Sequence, residues 1–272
     1  MIYIPDGLEE QAAVARTTHL AIAAHQDDIE FMAYAPIAEC FGSSGKWFGA
    51  VVVTDGAGSP RSGIYADYTD EEMKKVRIVE QKKAAFLGEY SFLALLGHPS
   101  KEVKAGERAI AEEIASLIKR AKPKYLYTHN LADKHETHVA TALRVIAALR
   151  LLKPEERPEK VFGCEVWRDL DWLPDDEKIY LDCGPHPNLM RALSAVFDSQ
   201  ITGGKRYDLA AEGRRLANAT FSASHACDTY SALNYAMDLT PLMDESADIA
   251  DFITAAIERF KEQVKEGIRK FQ

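Results

Sequence analysis

The 272-residue sequence lacks any paired cysteine motif. Cys40, Cys164, Cys183 and Cys227 are scattered without tight spacing, which argues against a cysteine zinc cluster or a disulfide framework and predicts free thiols in a reducing compartment. Nor is there an apolar run long enough to span a bilayer, or a basic, apolar start of the signal-peptide kind; the expected location is the cytoplasm, with no membrane span. A basic surplus is also missing. Against 42 Asp and Glu stand 33 Lys and Arg, for a formal net charge of -9, and nucleic acid is not an expected partner because a broad phosphate-binding face needs clustered cations. No repeat, low-complexity tract or convincing linker divides the chain. What is present, 47% hydrophobic and 28% charged residues, suits a globular domain with a substantial core.

Short apolar runs alternate with helical patterns. Residues 20–24, 47–54, 91–96 and 124–128 read as strands buried on both faces, with helices predicted over 29–41, 71–87, 105–121 and 138–152. Asp70 reads as the cap of the second of these, and Pro36 should end or kink the first unless it falls in a first turn. Such alternation predicts right-handed βαβ units: an α/β, Rossmann-like, mostly parallel sheet flanked by helices. Beyond it, 161–167 and 178–182 read as strands and 187–198, 208–219 and 248–270 as helices. The whole chain is read as a single domain, 1–272, with a core over about 18–150 and a C-terminal elaboration over about 151–272.

Two polar clusters interrupt this pattern at strand ends, where open α/β sheets bind ligands. The first is His25-Gln-Asp-Asp-Ile-Glu30; the second lies within His129-Asn-Leu-Ala-Asp-Lys-His-Glu-Thr-His138. If the two strands are neighbours, His25, Asp28 and His138 offer nitrogen, oxygen and nitrogen donors and leave a fourth position for water, the pattern of catalytic zinc. Asp27, beside the metal and not bound to it, would act as general base, and His135, one turn before His138, would stabilise an oxyanion or supply a proton. The bland alternative is that Asp27 or Asp28 caps the following helix. Zinc is the expected ion; ferrous iron accepts a similar set. The set suits hydrolysis of an amide or ester.

The stretch Ala24-His-Gln-Asp-Asp-Ile-Glu30 resembles the A-H-P-D-D-x-E signature of the PIG-L/LmbE-like de-N-acetylases, and Asp133-Lys-His-Glu-Thr-His138 resembles their D-R-H-P-D-H motif. Val53-Thr-Asp-Gly-Ala-Gly58, Arg77-x-x-Glu80 and Ala84-Ala-Phe-Leu-Gly88 are weaker echoes, with Asp198-Ser-Gln200 fainter still. The resemblance implies the same ligands, base and oxyanion residue, and an N-acetylglucosamine-type sugar or conjugate as substrate. The chain departs from the pattern at Gln26, at Lys134 and at Glu136-Thr137, where Pro-Asp would steady a site histidine; Glu136 is the candidate replacement from one position away. An acyl amide or ester of another kind, or a non-catalytic metal- or glycan-binding role, are the competing functions.

Around these motifs, Arg61 and Tyr65 in a long polar loop and His98 after the third strand are expected to bind substrate. His225 is a further loop candidate. His19 and His129 read as structural and His186 as a turn residue, while Trp167 and Trp172 suit either a sugar-stacking wall or the core. A homo-oligomer is left open.

Overall fold

The computed structural model describes all 272 residues. Strand and helix alternate through β1 (Ile2–Tyr3), α1 (Glu10–Ala15), β2 (His19–Ala23), α2 (Asp28–Met32), α3 (Tyr34–Cys40), β3 (Phe48–Thr54), α4 (Asp70–Leu87), β4 (Phe92–His98), α5 (Ser100–Ala105), α6 (Arg108–Ala121), β5 (Tyr125–His129) and α7 (Glu136–Leu151). The C-terminal part adds β6 (Lys160–Cys164), β7 (Ile179–Asp182), α8 (Pro187–Ala195), α9 (Asp198–Ile201), α10 (Tyr207–Phe221), β8 (Leu233–Asp238) and α11 (Ile249–Arg269). No helix is long and apolar enough to cross a membrane.

All strands join one mixed sheet in the order β1-β4-β3-β2-β5-β6-β8-β7. The five from β4 to β6 run parallel, and β1, β8 and β7 add antiparallel pairings at the two ends. Every residue of β2 and β3 is buried because helices cover both faces. Leu20, Ile22, Val51 and Val53 face a core shared with α6 and α7, whereas Ala21, Ala23, Ala50 and Val52 face a second core shared with α2 and α3. The fold is thus a single α/β domain. Because β3 lies on one side of β2 and β5 on the other, the winding reverses at β2, and a crevice opens at the C-terminal ends of β2 and β5.

Several elements depart from the sequence pattern for identifiable reasons. The helix expected over 29–41 is two helices that meet at Ala33 (φ -120, ψ 29), so Pro36 falls in the first turn of α3, where its missing N–H is no loss. The helix expected over 105–121 starts at Arg108, because Gly106 ends the preceding short helix α5 in the left-handed region (φ 81). Thr69, not Asp70, caps α4; its hydroxyl accepts from Glu72 N and its N–H donates to Glu72 Oε2, closing a capping box. β1 has two residues, and β8 (Leu-Asn-Tyr-Ala-Met-Asp) has no β-branched residue, so neither left a strand signature.

Candidate active site

The end of β2 and the start of α7 meet at the crevice. His25 Nδ1 lies 3.1 Å from Asp28 Oδ2 and 3.2 Å from His138 Nε2, and the last two atoms are 3.3 Å apart. Donors about 2.0–2.1 Å from a tetrahedral zinc ion sit roughly 3.3 Å from one another, so this triangle has the size an ion requires. Electrostatics favour a cation there too. Burial opposes charge on His138, yet Asp28 and Asp133 raise its pKa to about 9; burial likewise opposes ionisation of Asp28, but His138 and His25 hold it well below the usual carboxylate range. Behind His138, Asp133 Oδ2 lies 3.4 Å from Nδ1, the usual place for a carboxylate that orients a ligating imidazole.

Asp27 does not cap α2. Its side chain makes no cap hydrogen bond, and its backbone sits at φ 94, a strained conformation for a residue with a Cβ. The strain is held from α4. Arg77 Nη2 donates to Asp27 Oδ2 at 2.8 Å and also to the Gln26 carbonyl, while Asp27 N–H donates to Gln81 Oε1 at 3.0 Å. Burial raises the Asp27 carboxyl to about 6 against the pull of Arg77. Arg77 is in turn fixed by Glu80 at 3.0 Å, and Glu80 accepts from Ser199 N and Oγ at 2.7 and 2.8 Å. Arg77-x-x-Glu80 and Asp198-Ser-Gln200 therefore form one network. Across the turn after β3, Gly56 (φ +77) is required, because a Cβ would lie 2.6 Å from Gln26 Oε1.

His135 is the N-cap of α7. Its Nδ1 accepts from Thr137 N–H at 3.3 Å, which leaves Nε2 to carry the proton. Its ring stacks on His138 at 4.6 Å and meets the His25 ring edge-on at 4.9 Å. Burial, reinforced by His138 and His25, lowers its pKa to about 4. Glu136 does not take over the missing carboxylate: its side chain is 85% exposed and points to Lys104, 3.6 Å away. His129 packs face to face on His138 at 4.0 Å and accepts the Ala24 N–H at 2.9 Å through Nε2. It braces the end of β2. A second buried set of potential donors, His129, Asp133 and His138, shares His138 with the first.

His25, Asp27, Asp28 and His135 line a cleft of about 300 Å³ whose wall also includes Phe31, Arg77, Trp167, Tyr207, Arg214 and Arg215. Of the expected substrate contacts, none lines it. Arg61 donates to the Ala57 carbonyl at 2.8 Å and to Asp70 at 2.6 Å, the Tyr65 hydroxyl donates to Asp198 at 2.7 Å, and His98 Nε2 is 2.7 Å from Glu113. The polar loop instead contributes Gly58, Ser59 and Pro60. His225 is exposed, His19 is buried, and His186 turns the chain into α8 at φ 53. Trp167 faces the cleft, whereas Trp172 packs against the core. Tyr207, Arg214 and Arg215 carry no motif or spacing that marks them in the sequence. Arg77 alone had a signal, in the spacing to Glu80.

Fold and site define a class: a doubly wound α/β domain that brings His25, Asp28 and His138, a set that could hold a metal ion, together with Asp27 at its switch point. Residues 20–149 match the family model PIG-L, described as GlcNAc-PI de-N-acetylase, and that stretch is similar to the PIG-L/LmbE-like family. Among solved structures the chain is similar to the conserved protein TT1542 from Thermus thermophilus (18% identity, TM-score 0.65, covering 82% of this chain and 94% of that one). It is also similar to the 4-carboxy-2-hydroxymuconate hydratase GalB from Pseudomonas putida (16%, TM-score 0.61, 85% and 100%). A third likeness is to the N,N'-diacetylchitobiose deacetylase from Pyrococcus horikoshii (12%, TM-score 0.65, 87% and 88%). At these identities the likeness is one of fold. Comparison with curated proteins gives no match.

Proposed function

We propose that the protein is a metal-dependent hydrolase that removes an acyl group, acetyl in the first instance, from an N-acylated amino sugar or conjugate. The observation that carries this reading is the donor triangle of 3.1–3.3 Å sides, with Asp27 held beside it by Arg77. His25, Asp28 and His138 would hold zinc, or ferrous iron in its place. When bound, such an ion supplies Lewis acidity and a water of lowered pKa. Asp27 then accepts a proton from the attacking water and returns it to the leaving amine nitrogen as the C–N bond breaks. His135, protonated on Nε2, donates to the oxyanion that develops on the acyl oxygen. A purely binding role is disfavoured by the strain at Asp27, which costs about 1–3 kcal/mol and would serve nothing without chemistry.

In this reading residues 18–150 perform the reaction and residues 151–272, through Trp167, Tyr207 and α10, select the substrate. The four free cysteines, three of them buried, suit the reducing cytoplasm. A second reading, hydrolysis or hydration of a substrate that is not a sugar, is favoured by Thr137 where the family motif has a carboxylate, and by the fold-level likeness to a hydratase. The test is free-amine release from a panel of N-acetylated sugars by zinc- or iron-loaded protein. Release abolished by chelation and restored by metal supports the first reading; no release from any acetamide, with metal bound, favours the second.

A further inference from the structure

The cleft contains three arginines whose surroundings differ. Arg77 is neutralised by two carboxylates, Asp27 at 2.8 Å and Glu80 at 3.0 Å. Arg214 and Arg215, adjacent on α10, have no carboxylate partner. Arg214 donates only to the Val166 and Trp167 carbonyls. Arg215 is 1% exposed; Nε donates to Asn234 Oδ1 at 2.8 Å and Nη2 to the carbonyls of Glu30 and Phe31 at 2.9 Å each. Its Nη1 has no hydrogen-bond partner in the protein. The buried acid of this wall, Glu165, is already satisfied by Asn218 Nδ2, Tyr235 N and Leu170 N at 2.6, 2.9 and 3.1 Å.

A buried charge without a counter-charge is costly, and proteins tolerate one chiefly where something else completes the pair. Arg215 and Arg214 both line the cleft that His25, Asp27 and His135 line. Beside them an aromatic arc runs from His135 to Trp167 (6.2 Å), Tyr207 (5.9 Å) and Phe31 (5.7 Å). A further cation, Lys205 Nζ, lies 5.3 Å from the Trp167 ring, whereas Arg206 is spent on Asp208 at 2.8 Å.

We propose that the cleft takes a substrate bearing an anionic group, a carboxylate or a phosphate monoester, received by Arg214 and Arg215 while the body of the substrate lies along the Phe31, Tyr207 and Trp167 arc. This rests on the hydrolase reading for the reacting end only; the anion site stands on the α10 arginines. A forked guanidinium pairs with either oxyanion through two parallel bonds. The alternative role for Arg215 is purely architectural, bracing the carbonyls at the end of α2.

The test compares binding of three ligands that share an acetamido ring: N-acetylglucosamine, its 6-phosphate and N-acetylmuramic acid, by calorimetry on metal-loaded protein. Charge-assisted pairing should make one or both acidic ligands bind roughly 10-fold or more tightly than the neutral sugar at low salt, and which one leads distinguishes phosphate from carboxylate. In Arg214→Gln at equal metal content the preference should shrink to about 3-fold or less, and Arg214→Lys should recover part of it. An Arg215→Lys variant tests the buried member while keeping its charge. Equal binding of all three by the wild type overturns the proposal, as does an undiminished preference in Arg214→Gln. So does failure of all three to bind when inorganic phosphate and succinate also leave thermal unfolding unmoved. Amine release is scored separately: anion preference without release removes only the deacetylase reading, and release without preference removes only this proposal.

Discussion

Two stretches of the same cleft wall treat charge in opposite ways. In the part built by β2, α4 and α7, every ionised group meets a counter-charge within the protein: Arg77 meets Asp27 and Glu80, and Asp28 meets His25 and His138. In the part built by α10, two guanidinium groups hydrogen-bond only to carbonyls and an amide oxygen, Arg215 also lying 5.2 Å from the Tyr34 ring, and neither meets a carboxylate. The first arrangement fixes side chains for one reaction whatever the substrate. The second leaves a positive charge that a ligand can neutralise, so on the proposed function the two parts divide chemistry from selection.

The sharpest break of this comparison is removal of the ion from the first part. Chelation, or His138→Ala, should cut amine release to background and leave less than one metal per chain by elemental analysis, because a three-donor site cannot lose a donor cheaply. Turnover that survives chelation would dissolve the division. A smaller effect is expected from Asp27→Asn, which should retain metal while kcat falls about 10²–10⁴-fold; unchanged turnover at unchanged metal content would transfer the base to another residue, with His135 next in line.

Arg77→Met addresses the compensation itself. It strands Asp27 and Glu80 in a buried site, and removing one partner of such a set costs about 3–5 kcal/mol, so the melting temperature should drop by several degrees. A melting curve that overlays the wild type would show that the network contributes no net stability. Last come variants outside the cleft. Glu136→Ala and His98→Ala should each change amine release less than about 2-fold and stability by about 0.5 kcal/mol or less, since both side chains pair at the surface. A large kinetic loss in either would redraw the cleft.

Legibility in the sequence followed the distance between partners. His25, Asp27 and Asp28 were readable as a cluster because neighbouring turn positions hold them together, and His135 and His138 because they share the first turn of one helix. Element boundaries blurred where a local event competed with periodicity, as at Ala33, Gly106 and Thr69. The substrate contacts assigned to Arg61, Tyr65 and His98 were inferred from loop position alone, and loop position does not say which way a side chain turns; all three turn to acidic partners nearer at hand.

By itself the sequence determined the alternation of strand and helix, the Rossmann-like α/β class and the two local clusters, His25 to Asp28 and His135 to His138, because apolar periodicity and spacing within a turn are properties of neighbouring residues. Only the tertiary structure decided that Arg77 holds Asp27 from 50 residues away, that Asp27 is strained and not a cap, and that Arg215 reaches Glu30 O across 185 residues with no acid to meet it. Contacts of that span are set by which helices the sheet order brings to one crevice, and the energetic sense of a charge depends on what burial places beside it. Neither quantity is local to any stretch of the chain.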